Sequence, residues 1–223
     1  REQGDVELVR ALVELQAGDL AAARNHAELA REILDRTLGS DNVDRAEPHL
    51  TLGHIALGAG QPLEAIEHYR RGLAIQRAAL PDGHIALAAT SANLGLALLE
   101  SGDAETAIVE LERATALFEA GVDVVAELRA ARGMLGEALL TRMGPGDPAR
   151  AAALLALARA SCDRDTPALE RLDLLASEAR ALDAAGEHER ARRRAAEALA
   201  LVAEGTPPSN PLALAELERI GQR

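Results

Sequence analysis

Lysine and tryptophan are absent from this 223-residue chain, which has one phenylalanine, one tyrosine and one cysteine. Without lysine there is no phosphate-binding P-loop, whose lysine reaches the terminal phosphates. With Cys162 alone there is no intrachain disulfide framework, and the cytoplasm is the expected compartment. β-Branched residues are sparse, which argues against a large sheet. The N-terminus has no apolar signal core, and the longest apolar run, Ala151 to Ala158, is too short to cross a bilayer, so membrane insertion is not expected. The basic residues are all arginine, 24 of them against 36 acids, for a net charge of −12 and a pI near 5.0. That field repels polyanions, so a nucleic-acid partner is not expected. Arginine without lysine suggests the coding bias of a GC-rich bacterial genome. The chain opens at Arg1, without Met, and enters a helical pattern at once, which reads as a piece of a longer protein.

The chain is rich in alanine and leucine, the strongest helix formers, within a 48% hydrophobic share that can bury a core. The expectation is all-α. A pattern laid down from Leu52 to Leu80 then recurs at a fixed interval. Leu52-Gly53, Gly60, Ala65, Tyr69 and Gly72 are answered in the same order and spacing by Leu94-Gly95, Gly102, Ala107, Leu111 and Ala114. Self-similarity at a constant period of this size indicates stacked supersecondary units.

Apolar steps of three and four residues, broken by glycine, divide the chain into helical hairpins of about 4–37, 43–79, 84–120, 122–161 and 166–203. A final helix of about 210–221 has Asn210 or Ser209 as its N-cap. The fourth hairpin carries an enlarged tip, Met143-Gly144-Pro145-Gly146-Asp147-Pro148, and the fifth has Glu178-Ala179 where Leu-Gly is expected. A closing half-unit suits the end of a solenoid.

These residues resemble the tetratricopeptide repeat: Leu-Gly in the first helix, Gly at the turn, then Ala, a large residue and a small one in the second. The period exceeds the usual 34 of that family, and the junctions Leu38-Gly39-Ser40-Asp41-Asn42-Val43 and Leu80-Pro81-Asp82-Gly83-His84-Ile85 are similar to the kinesin-light-chain type. HEAT and armadillo repeats share the period but fit the turn glycines less well. The resemblance implies one right-handed α-solenoid over residues 1–223, five hairpins and a capping helix, acting as a protein-interaction scaffold. Its first helices would line a concave groove for a peptide or partner protein. The alternatives are a peptide- or ligand-sensing regulatory arm of a bacterial signalling protein (a serine/threonine kinase or transcription regulator) and, weakest, an enzyme with a groove site. Homodimerisation through an end repeat or the groove is a further expectation. No cofactor is implied.

By the same register the groove positions are Thr51 and His54, Asn93 and Leu96, Met134 and Glu137, and Ser177 and Arg180, with Leu8 and Leu12 in the first repeat. The resemblance gives Asn93 the task of bonding a bound peptide's backbone; the competing reading is a bond to a neighbouring helix or water. Glu137 and Arg180, on adjacent rungs, read as an inter-repeat ion pair. Without lysine, the family's carboxylate clamp is not expected. His26, His49, His54, His68, His84 and His188 show no His-Glu-x-x-His zinc spacing and read as surface or groove histidines. Cys162 reads as an incidental thiol, Arg192-Arg193-Arg194 as a solvated helix face, and no catalytic constellation stands out.

Overall fold

The computed structural model describes residues 1–208 and 210–222, so the expected cap Ser209 lies outside the described residues. Among the described residues eleven α-helices run in order, α1 Glu2–Ala17, α2 Leu20–Thr37, α3 Ala46–Gly58, α4 Pro62–Ala79, α5 Ile85–Glu100, α6 Ala104–Ala120, α7 Val125–Arg142, α8 Asp147–Ala160, α9 Ala168–Ala184, α10 His188–Ala203 and α11 Pro211–Gly221. No strand occurs among the described residues. Two compact units result, Arg1–Gly121 with α1 to α6 and Val122–Arg223 with α7 to α11. In each, every odd helix but the last packs on the next as a hairpin, and the second helix of one hairpin packs on the first of the following one, which is α-solenoid construction.

The hairpin tips repeat one device. Gly18, Gly60, Gly102 and Gly186 all take positive φ, a region where glycine carries no steric penalty. The following amide then reaches back into the helix just ended: Asp19 N to Glu14 O, Gln61 N to Ala56 O, Asp103 N to Leu98 O and Glu187 N to Leu182 O, all at 2.8–3.0 Å. This glycine-terminated closure satisfies carbonyls that a helix end otherwise leaves open. Asp19 and Asp103 also cap the next helix through the amides of Ala22 and Thr106.

The fourth tip is built differently. Met143 itself adopts a positive φ, and the Asp147 carboxylate closes the enlarged loop on Arg142 (2.7 and 2.8 Å) and on the Gly144 amide at 2.8 Å. Arg142 beside it holds the Asp147 carboxyl below its ordinary range. The second hairpin also starts later than its apolar pattern suggests. Asn42 caps a short 3-10 turn, Val43–Arg45, and α3 begins only at Ala46, leaving Pro48 in its first turn where no helical amide is lost. Asn210 caps α11 through the Leu212 amide.

Pairs of residues across each hairpin set how closely its helices approach. A Cβ on Gly53 would lie 2.6 Å from the Tyr69 ring, on Gly95 2.5 Å from Leu111, and on Gly136 2.8 Å from Leu155. In the first and fifth hairpins the corresponding pairs are Ala11 with Ala27 and Ala179 with Ala195, all fully buried. Two small residues there replace one absent and one large side chain.

Candidate interaction face

In unit 1 the first helices bring His54 of α3 and Asn93 of α5 together. His54 follows Gly53, and its exposed ring packs edge-on against buried Tyr69, centroids 5.5 Å apart at 67°. Asn93, half-buried on α5, reaches the ring: its Nδ2 lies 3.1 Å from His54 Nε2 and donates to it. Partial burial of the ring lowers the His54 pKa, the direction that favours its neutral form. Asn93 therefore bonds a neighbouring helix, and this engages one N–H of its amide. Leu96, one turn further on α5, is half-buried. Thr51 is 4% exposed and its hydroxyl donates to the Glu47 carbonyl at 3.0 Å, so it faces the packing between helices. The counterparts of Thr51 and His54 in the first repeat are Val9 and Leu12, both exposed, whereas Leu8 is half-buried; register corrects the expected Leu8 to Val9.

Unit 2 carries the other four positions. Arg180 Nη2 on α9 lies 2.6 and 2.8 Å from the Glu137 carboxylate on α7, the ion pair expected between adjacent rungs. It also donates to Ser177 Oγ at 3.1 Å, and Ser177 is 8% exposed. Met134 on α7 is half-buried. Both partners of the ion pair are about one-third exposed, so screening limits its contribution to about 0–1 kcal/mol.

Several residues differ from their reading in the sequence. His49 is 7% exposed, not a surface or groove residue, and its Nδ1 faces His68 Nδ1 at 3.5 Å across the α3–α4 pair. Burial, then His68 itself, lowers the His49 pKa to about 4. Behind His68, Glu64 is gripped by Arg24 of α2, which also bonds Gln61, so a polar chain ties the first hairpin to the second. No periodic signal marks this network, because its members come from three helices; only the 19-residue separation of His49 and His68, matched by His26 and Glu7 at 2.6 Å in the first hairpin, hints at facing positions.

Arg194 is not simply solvated. It pairs with Glu178, 1% exposed, which Arg159 also reaches at 2.6 Å. Glu178 thus occupies with an ion pair the core place that Leu52, Leu94 and Leu135 fill elsewhere. Arg193 lies along the helix surface with Glu189 at 3.8 Å. Cys162 is half-buried, and burial pushes its thiol pKa up, away from a reactive thiolate. Among the described residues no group of three or more His, Cys, Asp or Glu is placed to hold a metal ion, and no helix is long and apolar enough to cross a membrane.

The tetratricopeptide-repeat family model matches residues 4–78 and 49–120, half of the chain. No curated protein sequence matches. Among solved structures, a putative kinesin light chain with nearly identical TPR-like repeats from Podosopora anserina superposes with a TM-score of 0.73 at 24% identity, over 90% of this chain and 95% of that one. BtubC from P. vanneervenii gives 0.75 at 19% identity, over 90% and 80%. A Rap protein complexed with Competence and Sporulation Factor gives 0.67 at 15% identity over 96% of this chain, which spans 57% of that protein. At these identities the likeness is one of fold. The repeat match, the turn glycines and the paired helices together make the chain a member of the tetratricopeptide-repeat family, whose stacked hairpins serve as protein-interaction scaffolds.

Proposed function

We propose that the chain is a non-catalytic interaction scaffold that takes an extended segment of a partner protein along the face made by the first helices of the hairpins of unit 1. The observation that carries this reading is the placement of exposed His54 with half-buried Asn93 and Leu96 on successive first helices, where the 3.1 Å Asn93–His54 bond uses only one N–H of the Asn93 amide. Such a surface offers hydrogen-bond donors and acceptors at repeat spacing, with an apolar contact next to them, which suits a peptide backbone and its side chains. Met134, Glu137 and Arg180 are the corresponding half-buried positions in unit 2, whereas Ser177, 8% exposed, is packed away as Thr51 is. The reading places the chain in the cytoplasm, in keeping with its single cysteine. Homodimerisation belongs to it only as a secondary mode.

The second reading, a sensing arm of a signalling protein, is favoured by the fold likeness to a Rap protein solved with its bound factor. Both readings require an occupied groove, and one experiment tests that requirement. Random peptides displayed on phage and selected on the chain supply ligands. Their affinity for the H54A/N93R variant is expected to fall about tenfold or more, with the thermal melt retained. Selected ligands that bind this variant as tightly as wild type would overturn the groove reading.

A further inference from the structure

The hairpins of unit 1 carry a polar pair at one register position, its members 19 residues apart on the two helices: Glu7 with His26, His49 with His68 and Ser91 with Glu110. In the outer two a carboxylate closes the contact, 2.6 Å from the His26 ring and 3.1 Å from the Ser91 hydroxyl. The middle pair has no carboxylate of its own. Two imidazoles face each other there, Nδ1 to Nδ1 at 3.5 Å, beyond the reach of about 3.2 Å that a good N–H hydrogen bond has. His49 is 7% exposed and the His68 side chain 15%, so the pair is largely withdrawn from water but keeps one edge open to it.

That spacing suits a shared metal ion. Imidazole nitrogens bind zinc at about 2.0–2.1 Å, and two such bonds to nitrogens 3.5 Å apart meet at roughly 115–120°, close to the tetrahedral angle. The rings, with centroids 5.8 Å apart and planes inclined by 36°, need a slight tilt to aim both lone pairs at one ion. The far side of His68 is arranged for this. Glu64 Oε1 lies 3.8 Å from its Nε2 and is itself gripped by Arg24. A carboxylate there favours the tautomer with hydrogen on Nε2 and leaves the Nδ1 lone pair turned to His49, which is how metal-binding histidines are oriented. Asp35 of α2 also acts on His49, but Arg45 holds its carboxylate at 2.9 Å, and Arg31 and Arg71 add opposing charge. With both acids engaged, an ion is held by the two nitrogens, and water fills its other positions.

We propose that His49 and His68 form a two-nitrogen site for a divalent ion of the zinc class, which clips α3 to α4 in the second hairpin. Such donors select these ions over calcium and magnesium, which take oxygen ligands. Two protein ligands make a reversible site, so the metal adds to the stability of a hairpin that folds without it.

The test is isothermal titration of the untagged, chelator-treated chain with zinc chloride, in a C162S background that removes the one thiol. One zinc ion is expected to bind per chain, with calcium and magnesium chloride giving no heat of binding. Zinc affinity should fall about tenfold or more in H49Q and in H68Q, and by a similar factor in E64Q, which keeps both ligands and loses the carboxylate behind one of them. Saturating zinc should raise the melting temperature of the parent by about 3 °C or more and leave H49Q and H68Q where they were. Should H49Q lose its fold, H68Q, at the open edge of the pair, carries the same test. The H26Q/H84Q/H188Q variant should bind as the parent does. The proposal is overturned by absence of binding, by equal binding to H68Q, or by loss of binding in H26Q/H84Q/H188Q, which would give the ion to other histidines.

Discussion

At the residue scale, the helix contacts rest on matched sizes, and this separates glycines that must stay glycine from those that need not. Gly53→Ala forces a methyl to 2.6 Å from Tyr69, a ring with no space to retreat into. Overpacking of this kind costs about 1–3 kcal/mol, more than the roughly 1 kcal/mol that alanine's helix preference returns. Gly133→Ala on α7 places its methyl 3.4 Å from Leu174, an ordinary contact, so the helix preference should prevail and stabilise by about 0.5–1 kcal/mol. Urea denaturation of the two variants, one falling and one rising, checks the pair. The Leu-Gly signal is legible in the second, third and fourth copies because the glycine and its large partner both stand out. The alanine pairs of the first and fifth copies are hidden, since alanine is the commonest helix filler and marks no position. Glu178 reads as a departure in the sequence because the two arginines that neutralise it, Arg159 and Arg194, stand on the helices before and after its own.

That buried carboxylate yields a second prediction. Restoring the leucine of the other copies with Glu178→Leu removes a charge at a site 1% exposed and leaves Arg159 and Arg194, both partly exposed, able to turn to water. The variant should be as stable as wild type or more stable by about 1 kcal/mol or more. Arg194→Ala, leaving Glu178 with one partner fewer, should lose about 1–3 kcal/mol. Thermal melts that rank the two variants the other way would remove the buried-charge account.

At the scale of elements, the turns are legible in the sequence and the polar ties between helices are not. A glycine with a polar residue after it predicts the backbone closure that ends α1, α3, α5 and α9, because both signals are local. The His49–His68 contact depends on how α3 and α4 pack, which sequence spacing alone underdetermines. It has a consequence for acid stability. Above pH 6.5 the folded and unfolded chains both hold His49 neutral and nothing is lost. Below 6.5 the unfolded chain takes up a proton that the folded chain refuses, so stability falls with pH and the loss levels off below the folded value of about 4. For His49 the full loss is roughly 3 kcal/mol, and His54 and His68, also lowered by burial, act in the same direction. Denaturation between pH 7 and 4 should show a shallower loss for His49→Gln than for wild type. Parallel curves would mean that the α3–α4 histidine pair does not resist protonation.

At the scale of the whole molecule, the family and the fold class follow from a period that survives many substitutions, since each repeat has to present the same faces to its neighbours. Function is less legible, because the exposed positions of a repeat are free of that constraint and carry no period. Thr51 and His54, one helical turn apart, illustrate this: one turns into the helix packing and the other outward, a difference set by a modest rotation of the helix. The central claim is that partners are held by the first helices of the hairpins, and the most direct measurement is amide hydrogen exchange of the chain with and without a selected peptide ligand. The account predicts added protection in α3 and α5, residues 46–58 and 85–100, with α4 and α6 unchanged. Protection confined to α4 and α6, with α3 and α5 exchanging as in the free chain, would contradict it.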